Sequence, residues 1–289
     1  MRFRGPVLTA DTVVSFEVYP PRSPDDLPQL HESIRALDST RPEFISVTFG
    51  AGGSSTRDSL EVLTFIKEKT SATPLAHLTC VGTTRLEALD LIDSFVERGI
   101  TEFLALRGDL PSGEAKHQGE LHHAIDLVNL MKSDRNHSQA INRIAVAAFP
   151  NGHPESQSLD EDIETLLAKQ NAGATLAITQ LFFYTEEYAG FVDKATKAGV
   201  TIPIVPGLMP VTSPGRLARV LELTGEKEPY ELSQQLHSTS SPDKWKSLGI
   251  DWCARMIREL LDARAPGIHL YAFNQHETVL SALEHAGVR

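Results

Sequence analysis

Glu17 interrupts an apolar run, Val13-Val14-Ser15-Phe16-Glu17-Val18-Tyr19, in which alternation puts it on one face with Val13, Ser15 and Tyr19. If that face turns into a protein core, lost hydration penalises the carboxylate, raises its pKa and leaves a proton donor near neutrality. An ion pair with Arg107 is the other reading. Arg107-Gly108-Asp109 joins a guanidinium suited to phosphate or carboxylate, a glycine that permits close backbone approach, and a second carboxylate; a loop salt bridge is the alternative there. Ala51-Gly52-Gly53-Ser54-Ser55-Thr56 offers N–H groups to an anion ahead of a helical pattern, or is simply a turn. Thr48, His77, His153, Gln180, Asn274 and Gln275 also stand at the ends of apolar runs, where a polar group is costly unless bonded or used. The 11 histidines show no metal-ligand spacing, and His122-His123 on one helix point apart, so no metal centre is expected. Neither a serine nucleophile elbow nor a Cys–His pair stands out.

Something must hold these residues together. Eight β-rich runs recur: Val13–Pro20, Phe44–Gly50, Pro74–Cys80, Glu102–Asp109, Arg143–Pro150, Leu176–Tyr184, Pro203–Val211 and Ile268–Gln275. Several are nearly continuous apolar strings, as expected of parallel strands covered on both faces. Helical stripes lie between them. Leu27, Leu30, Ile34 and Leu37 follow Ser23-Pro24, an N-cap with proline at the first helical position. Leu86, Leu89, Ile92 and Val96 stop at Gly99, and Leu159, Ile163, Leu166 and Gln170 stop before Gly173. A helix from about Trp245 to Ala263 precedes the last strand. The alternation predicts an α/β fold, a (β/α)8 TIM barrel forming a single domain over 1–289, with a polar insertion at about 225–244. An open doubly wound sheet would want a glycine-rich phosphate loop after the first strand, and Glu17-Val18-Tyr19-Pro20-Pro21 is not one. In a barrel the chemistry belongs at the C-terminal ends of the strands, where these polar residues stand.

Composition narrows the partners. The chain has 289 residues and a net charge of −11, a poor match for nucleic acid or an anionic membrane, so any anionic ligand depends on a few local cations and N–H groups. Two cysteines, Cys80 and Cys253, fit a reducing compartment. With no apolar stretch near 20 residues and no signal-like start, a cytoplasmic protein is expected.

Ser15-Phe16-Glu17-Val18-Tyr19-Pro20-Pro21, Ser46-Val47-Thr48-Phe49-Gly50-Ala51, His77-Leu78-Thr79-Cys80, Leu106-Arg107-Gly108-Asp109-Leu110-Pro111, His153-Pro154-Glu155, Ile178-Thr179-Gln180-Leu181-Phe182-Phe183 and Pro206-Gly207-Leu208-Met209-Pro210-Val211 together resemble the methylenetetrahydrofolate reductases, in that family's order and over essentially the whole chain. The resemblance implies a barrel carrying FAD, reduced by NADH or NADPH, that passes a hydride to 5,10-methylenetetrahydrofolate and yields 5-methyltetrahydrofolate. It makes Glu17 the general acid and Asp109 a carboxylate beside flavin and pterin. Gln180 becomes an amide for pterin or nicotinamide, Thr48 a neighbour of the nicotinamide nucleotide, and Arg216 and Gln275 part of the folate site. Phe49, Ala51, His77, Arg107, Gly108, Asp109, Ala124, Phe149, His153, Asp162 and Lys169 fall on FAD-contacting positions. It also implies a homo-oligomer without S-adenosylmethionine control. Phe49 and Phe149 stand where bacterial members have tyrosines, Ala168 replaces an arginine, Val220 an aromatic, Arg216 a glutamine and Gln275 an arginine. Another flavin-dependent barrel oxidoreductase and a non-catalytic folate-binding subunit are the rival readings; passive binding needs no proton donor at Glu17.

Overall fold

The computed structural model describes residues 12–21, 23–49, 56–108, 119–133 and 135–288. Strands β1 (Val14–Val18), β2 (Phe44–Val47), β3 (Thr73–Thr79), β4 (Glu102–Leu106), β5 (Arg143–Ala148), β6 (Leu176–Thr179), β7 (Ile204–Val205), β8 (Gly207–Leu208) and β9 (Ile268–Tyr271) form one sheet. Its order is β7-β6-β5-β4-β3-β2-β1-β9-β8, and every pairing is parallel. β7 and β8 are two halves of one run, so the sheet closes on itself: the barrel is there, and its seventh strand is broken.

Pro206 causes the break, because it has no N–H for the ladder. Before it, Ile204 and Val205 pair with Ala177 and Ile178; after it, Gly207 and Leu208 pair with His269 and Leu270. The gap beside β6 is closed by side chains. Gly207 N–H donates to Thr179 Oγ1 at 2.9 Å, and the Tyr271 hydroxyl donates to Thr179 O at 2.6 Å. A Cβ on Gly207 would lie 2.5 Å from Thr179 O and 2.7 Å from the Tyr271 hydroxyl, so only glycine admits the tyrosine that seals the seam.

Around the sheet run α1 (Leu27–Asp38), α2 (Thr56–Lys69), α3 (Arg85–Val96), α4 (Ala124–Ser133), α5 (Arg135–Ala140), α6 (Leu159–Ala172), α7 (Thr185–Lys197), α8 (Pro214–Thr224), α9 (Tyr230–His237), α10 (Pro242–Asp262) and α11 (His276–Ala286). Local signals set their ends: Thr84 and Glu87 form a capping box on α3, Ser158 and Ser213 cap α6 and α8, and Gly173 and Gly225 end those two helices in the left-handed conformation. Several expectations need correcting. Leu86 is 68% exposed, because the capping box fixes the start of α3 and its buried face runs through Ala88, Ile92 and Phe95. His122 and His123 precede α4, their N–H groups held by Asp126 Oδ2. The fourth and sixth strands stop at Leu106 and Thr179, short of Asp109 and Tyr184. The polar insertion carries a helix of its own, α9, which buries Leu232 and Leu236.

Alternation divides the barrel wall. Val14, Phe16 and Val18 of β1 are buried among the helices, while Ser15, Glu17 and Tyr19 face the axis. The inner floor is apolar: Phe44, Leu75, Leu104, Ala145, Leu176, Ile178 and Val205. Below it Arg143 lies over the Phe44 ring at 5.5 Å and pairs with Glu43 and, at 3.4 Å, with Glu102, which plugs the N-terminal end. Polar inward residues lie above that floor, on the side where the strands end.

Candidate active site

Glu17 ends up where its sequence context predicts. It faces the axis near the end of β1, with its side chain 12% exposed and Oε2 3.5 Å from His77 Nε2 on β3. Burial pushes the Glu17 carboxyl up to about 8 and the His77 imidazole down to about 3. At neutral pH the pair is therefore a carboxylic acid beside an uncharged imidazole, not a salt bridge. The ion-pair reading of Glu17 with Arg107 is overturned: Arg107 Nη2 donates to Glu155 Oε1 at 3.0 Å and its Nη1 to Glu155 Oε2, and this pairing holds the Glu155 carboxyl below its usual range.

Two residues under Glu17 carry signals that the sequence reading passed over. His269 of β9 is fully buried on the inner face, its Nδ1 2.9 Å from Ser15 Oγ and its ring 5.7 Å from Phe44 and 5.2 Å from Tyr271. Burial holds it down to about 3. Ile268-His269-Leu270-Tyr271 has the same alternation that exposed Glu17, so parity could have found both His269 and Tyr271. Ser46 on β2 and Thr48 just after it each carry a buried hydroxyl with no hydrogen-bond partner among the described residues, and Nε2 of His77 likewise has none.

The remaining positions form two groups at the mouth. On the β4–β6 side stand Arg107, Gly108, Phe149, His153, Asp162 and Lys169. Gly108 has φ +87°, and a Cβ there would come 2.9 Å from Thr79 Cβ, so the turn after Arg107 requires glycine. Phe149 meets His153 edge-on at 4.7 Å. Asp162 accepts from His153 N at 3.0 Å and from Ser156 Oγ at 2.7 Å, which folds the β5–α6 loop over the mouth. Among the described residues Lys169 reaches Ala147 O alone, at 3.4 Å; burial lowers its pKa, opposed by Asp162. Ala124 is buried at the start of α4, and Phe49 meets Phe95 at 6.4 Å. Gln180 follows β6, its Oε1 accepting from Leu181 N at 2.8 Å. On the β9–α8 side, Arg216 Nη2 donates to Gln275 Oε1 at 3.3 Å. Asp109 and Ala51, with most of the glycine-rich segment at 51–56, lie outside the described residues.

This donor set fits a flat ring with polar edges and an anionic arm. Unsatisfied buried hydroxyl and imidazole groups line the centre, and a half-buried ammonium without an ion pair among the described residues stands at one side. Among the described residues, no three His, Cys, Asp or Glu side chains gather as metal ligands, and no helix is long and apolar enough to cross a membrane.

A parallel barrel with an inward-facing acid and polar side chains gathered at the C-terminal ends of its strands has the architecture of the barrel enzymes. Residues 2–287 match the family model described as methylenetetrahydrofolate reductase. The chain is 34% identical to the 5,10-methylenetetrahydrofolate reductase of Salmonella typhimurium over 277 residues, covering 96% of this chain and 91% of that one. It is 32% identical to methylenetetrahydrofolate reductase (NADH) 1 of Arabidopsis thaliana, covering 96% of this chain and 48% of the longer plant protein. In fold it is similar to a Clostridium thermocellum protein that binds two copies of 5-methyl-5,6,7,8-tetrahydrofolic acid, at TM-score 0.66 and 14% identity, covering 95% and 94% of the two chains. The chain belongs to the methylenetetrahydrofolate reductase family, and it is an oxidoreductase of one-carbon folate metabolism.

Proposed function

We propose that this protein reduces 5,10-methylenetetrahydrofolate to 5-methyltetrahydrofolate by a ping-pong route, with NADH or NADPH as reductant, FAD as hydride carrier and Glu17 as general acid. The observation that carries this reading is the carboxyl of Glu17, facing the barrel axis 3.5 Å from His77 Nε2 with its side chain only 12% exposed, where lost hydration favours its protonated form. The five-membered ring of the substrate must open to an iminium before its methylene carbon accepts hydride, and opening places a proton on the departing nitrogen. A carboxyl held at about 8 has that proton at neutral pH, whereas an ordinary glutamate has lost it. His77, held uncharged, adds no positive charge that would favour premature ionisation of Glu17.

When bound, FAD supplies two-electron transfer between nicotinamide and folate. Lys169 and Arg107 would hold its phosphates, and in a protein of net charge −11 such local cations matter. His77, Gly108, Ala124, Phe149, His153 and Asp162 would line its cradle, with Phe49, Ala51 and Asp109. Asp109, beside flavin and pterin, would disfavour an anionic reduced ring. Thr48 would meet the nicotinamide nucleotide, and the Gln180 amide the pterin or the nicotinamide. Arg216 and Gln275 exchange the family's glutamine and arginine, so the rim keeps one guanidinium, now offered from α8. A protein of the same fold binds 5-methyl-5,6,7,8-tetrahydrofolic acid, which supports a folate as ligand here.

The purified protein should show a flavin spectrum that NADH or NADPH bleaches without oxygen and 5,10-methylenetetrahydrofolate restores. A colourless protein that still binds folate would favour a passive subunit. A flavin that bleaches but is not reoxidised by this substrate would move the activity to another acceptor.

A further inference from the structure

Helix α8 joins two sectors of the mouth that the sheet keeps apart. Near its start Arg216 meets Gln275, past β9, at 3.3 Å. Just beyond its end the half-buried Glu226 meets the exposed Asn151, past β5, whose Nδ2 donates to Glu226 Oε2 at 2.7 Å. Both contacts are with loops at the strand C-termini, so α8, 11 residues and about 16 Å long, lies along the rim across the β6 sector. The turn that aims Glu226 is tied down. Gly225 ends α8 at φ +71° with its N–H on Leu221 O at 2.9 Å, and Thr224 Oγ1 donates to Val220 O at 2.8 Å while accepting from Glu226 N at 3.3 Å. A Cβ on Gly225 would lie 3.7 Å from Pro154 Cγ, so the turn also packs against the β5–α6 loop.

That loop is bonded just as closely within itself. Gly152 N donates to Phe149 O at 3.1 Å, His153 N to Asp162 Oδ2 at 3.0 Å and Glu155 N to His153 Nδ1 at 3.1 Å, and Glu155 holds Arg107. A shift of Asn151 therefore carries Phe149, His153 and the partner of Arg107 with it. We infer that Glu226 is a positioning residue: its bond to Asn151 straps α8 to the β5–α6 loop and sets how tightly that loop holds flavin. The inference rests on the flavin reading of the loop, and neither Glu226 nor Asn151 is among the positions that the resemblance assigns to FAD. Burial raises the Glu226 pKa and the Glu187 charge adds to it, while the Asn151 bond and Lys227 oppose them. A half-buried carboxylate of this kind needs its amide donor, and the strap has a reason to stay closed.

Release of FAD from the purified holoenzyme on dilution, read as the rise in flavin fluorescence, tests the strap. Glu226→Ala removes the acceptor and should raise the dissociation constant about five-fold, whereas Glu226→Gln keeps an acceptor oxygen and should stay near the wild type. Asn151→Asp sets a second carboxylate against Glu226 and should weaken flavin binding about ten-fold. Combining Asn151→Asp with Glu226→Gln exchanges donor and acceptor across the same contact, and affinity should return to within about two-fold of the wild type. An exchange variant no tighter than Asn151→Asp alone, or a Glu226→Ala protein as tight as the wild type, overturns the inference; the exchange decides if the alanine variant does not fold. A wild-type protein that takes up no FAD overturns the flavin reading, and the inference with it.

Discussion

A carboxyl kept protonated by burial is a stability problem as well as a catalytic asset. The Glu17 side chain titrates at about 8 in the folded protein against an ordinary 4.5. Between those values the folded chain keeps a proton that the unfolded chain has released, so folding stability must fall as pH rises through that window. Glu17→Gln removes the dependence. Denaturant unfolding at pH 5 and pH 9 should show the wild type losing a few kcal/mol relative to the variant as pH rises; parallel pH profiles would mean that Glu17 titrates normally. His77 and His269 act in the opposite sense. Both are held at about 3, so the unfolded chain binds protons that the folded one refuses, and stability falls as pH drops from 6.5 towards 3. Glu17 could be read from the sequence because an ion in an apolar alternation has few explanations. The partner of Arg107 could not: Glu155 is 48 positions away and reaches it only because Asp162 folds its loop back over the mouth.

The strands were legible as runs of apolar residues, since parallel strands covered on both faces leave little polar pattern. Their ends were not, because apolar character continues into buried loops such as Leu181-Phe182-Phe183. The division of the seventh strand was equally hidden, although Pro206 marks it. A ladder that loses one N–H can be mended by a neighbouring side chain, and here Thr179 and Tyr271 mend it. That seam is testable at Gly207. Gly207→Ala places a methyl 2.5 Å from the Thr179 carbonyl, a backbone atom that cannot swing aside, and should cost about 1–3 kcal/mol in urea unfolding. If the alanine variant is as stable as the wild type, the close approach of Tyr271 is not what closes the barrel.

For the whole molecule, the net charge of −11 sets how an anionic ligand can be held. On the proposed function the mouth holds such ligands, and Arg107, Lys169 and Arg216 would be the local cations that meet them. The family was legible because its motifs fall, strand after strand, at one end of a barrel. The contact between Arg216 of α8 and Gln275, beyond the end of β9, was not legible, because 59 positions separate the two residues. On the proposed function, Glu17 delivers a proton needed in one half of the reaction and not in the other. Rapid mixing separates the halves: flavin reduction by NAD(P)H, and reoxidation by 5,10-methylenetetrahydrofolate. In Glu17→Gln the first should proceed at close to the wild-type rate, while the second should fall by about 10²–10⁴-fold. Equal losses in the two halves, or no loss in the second, would contradict the assignment.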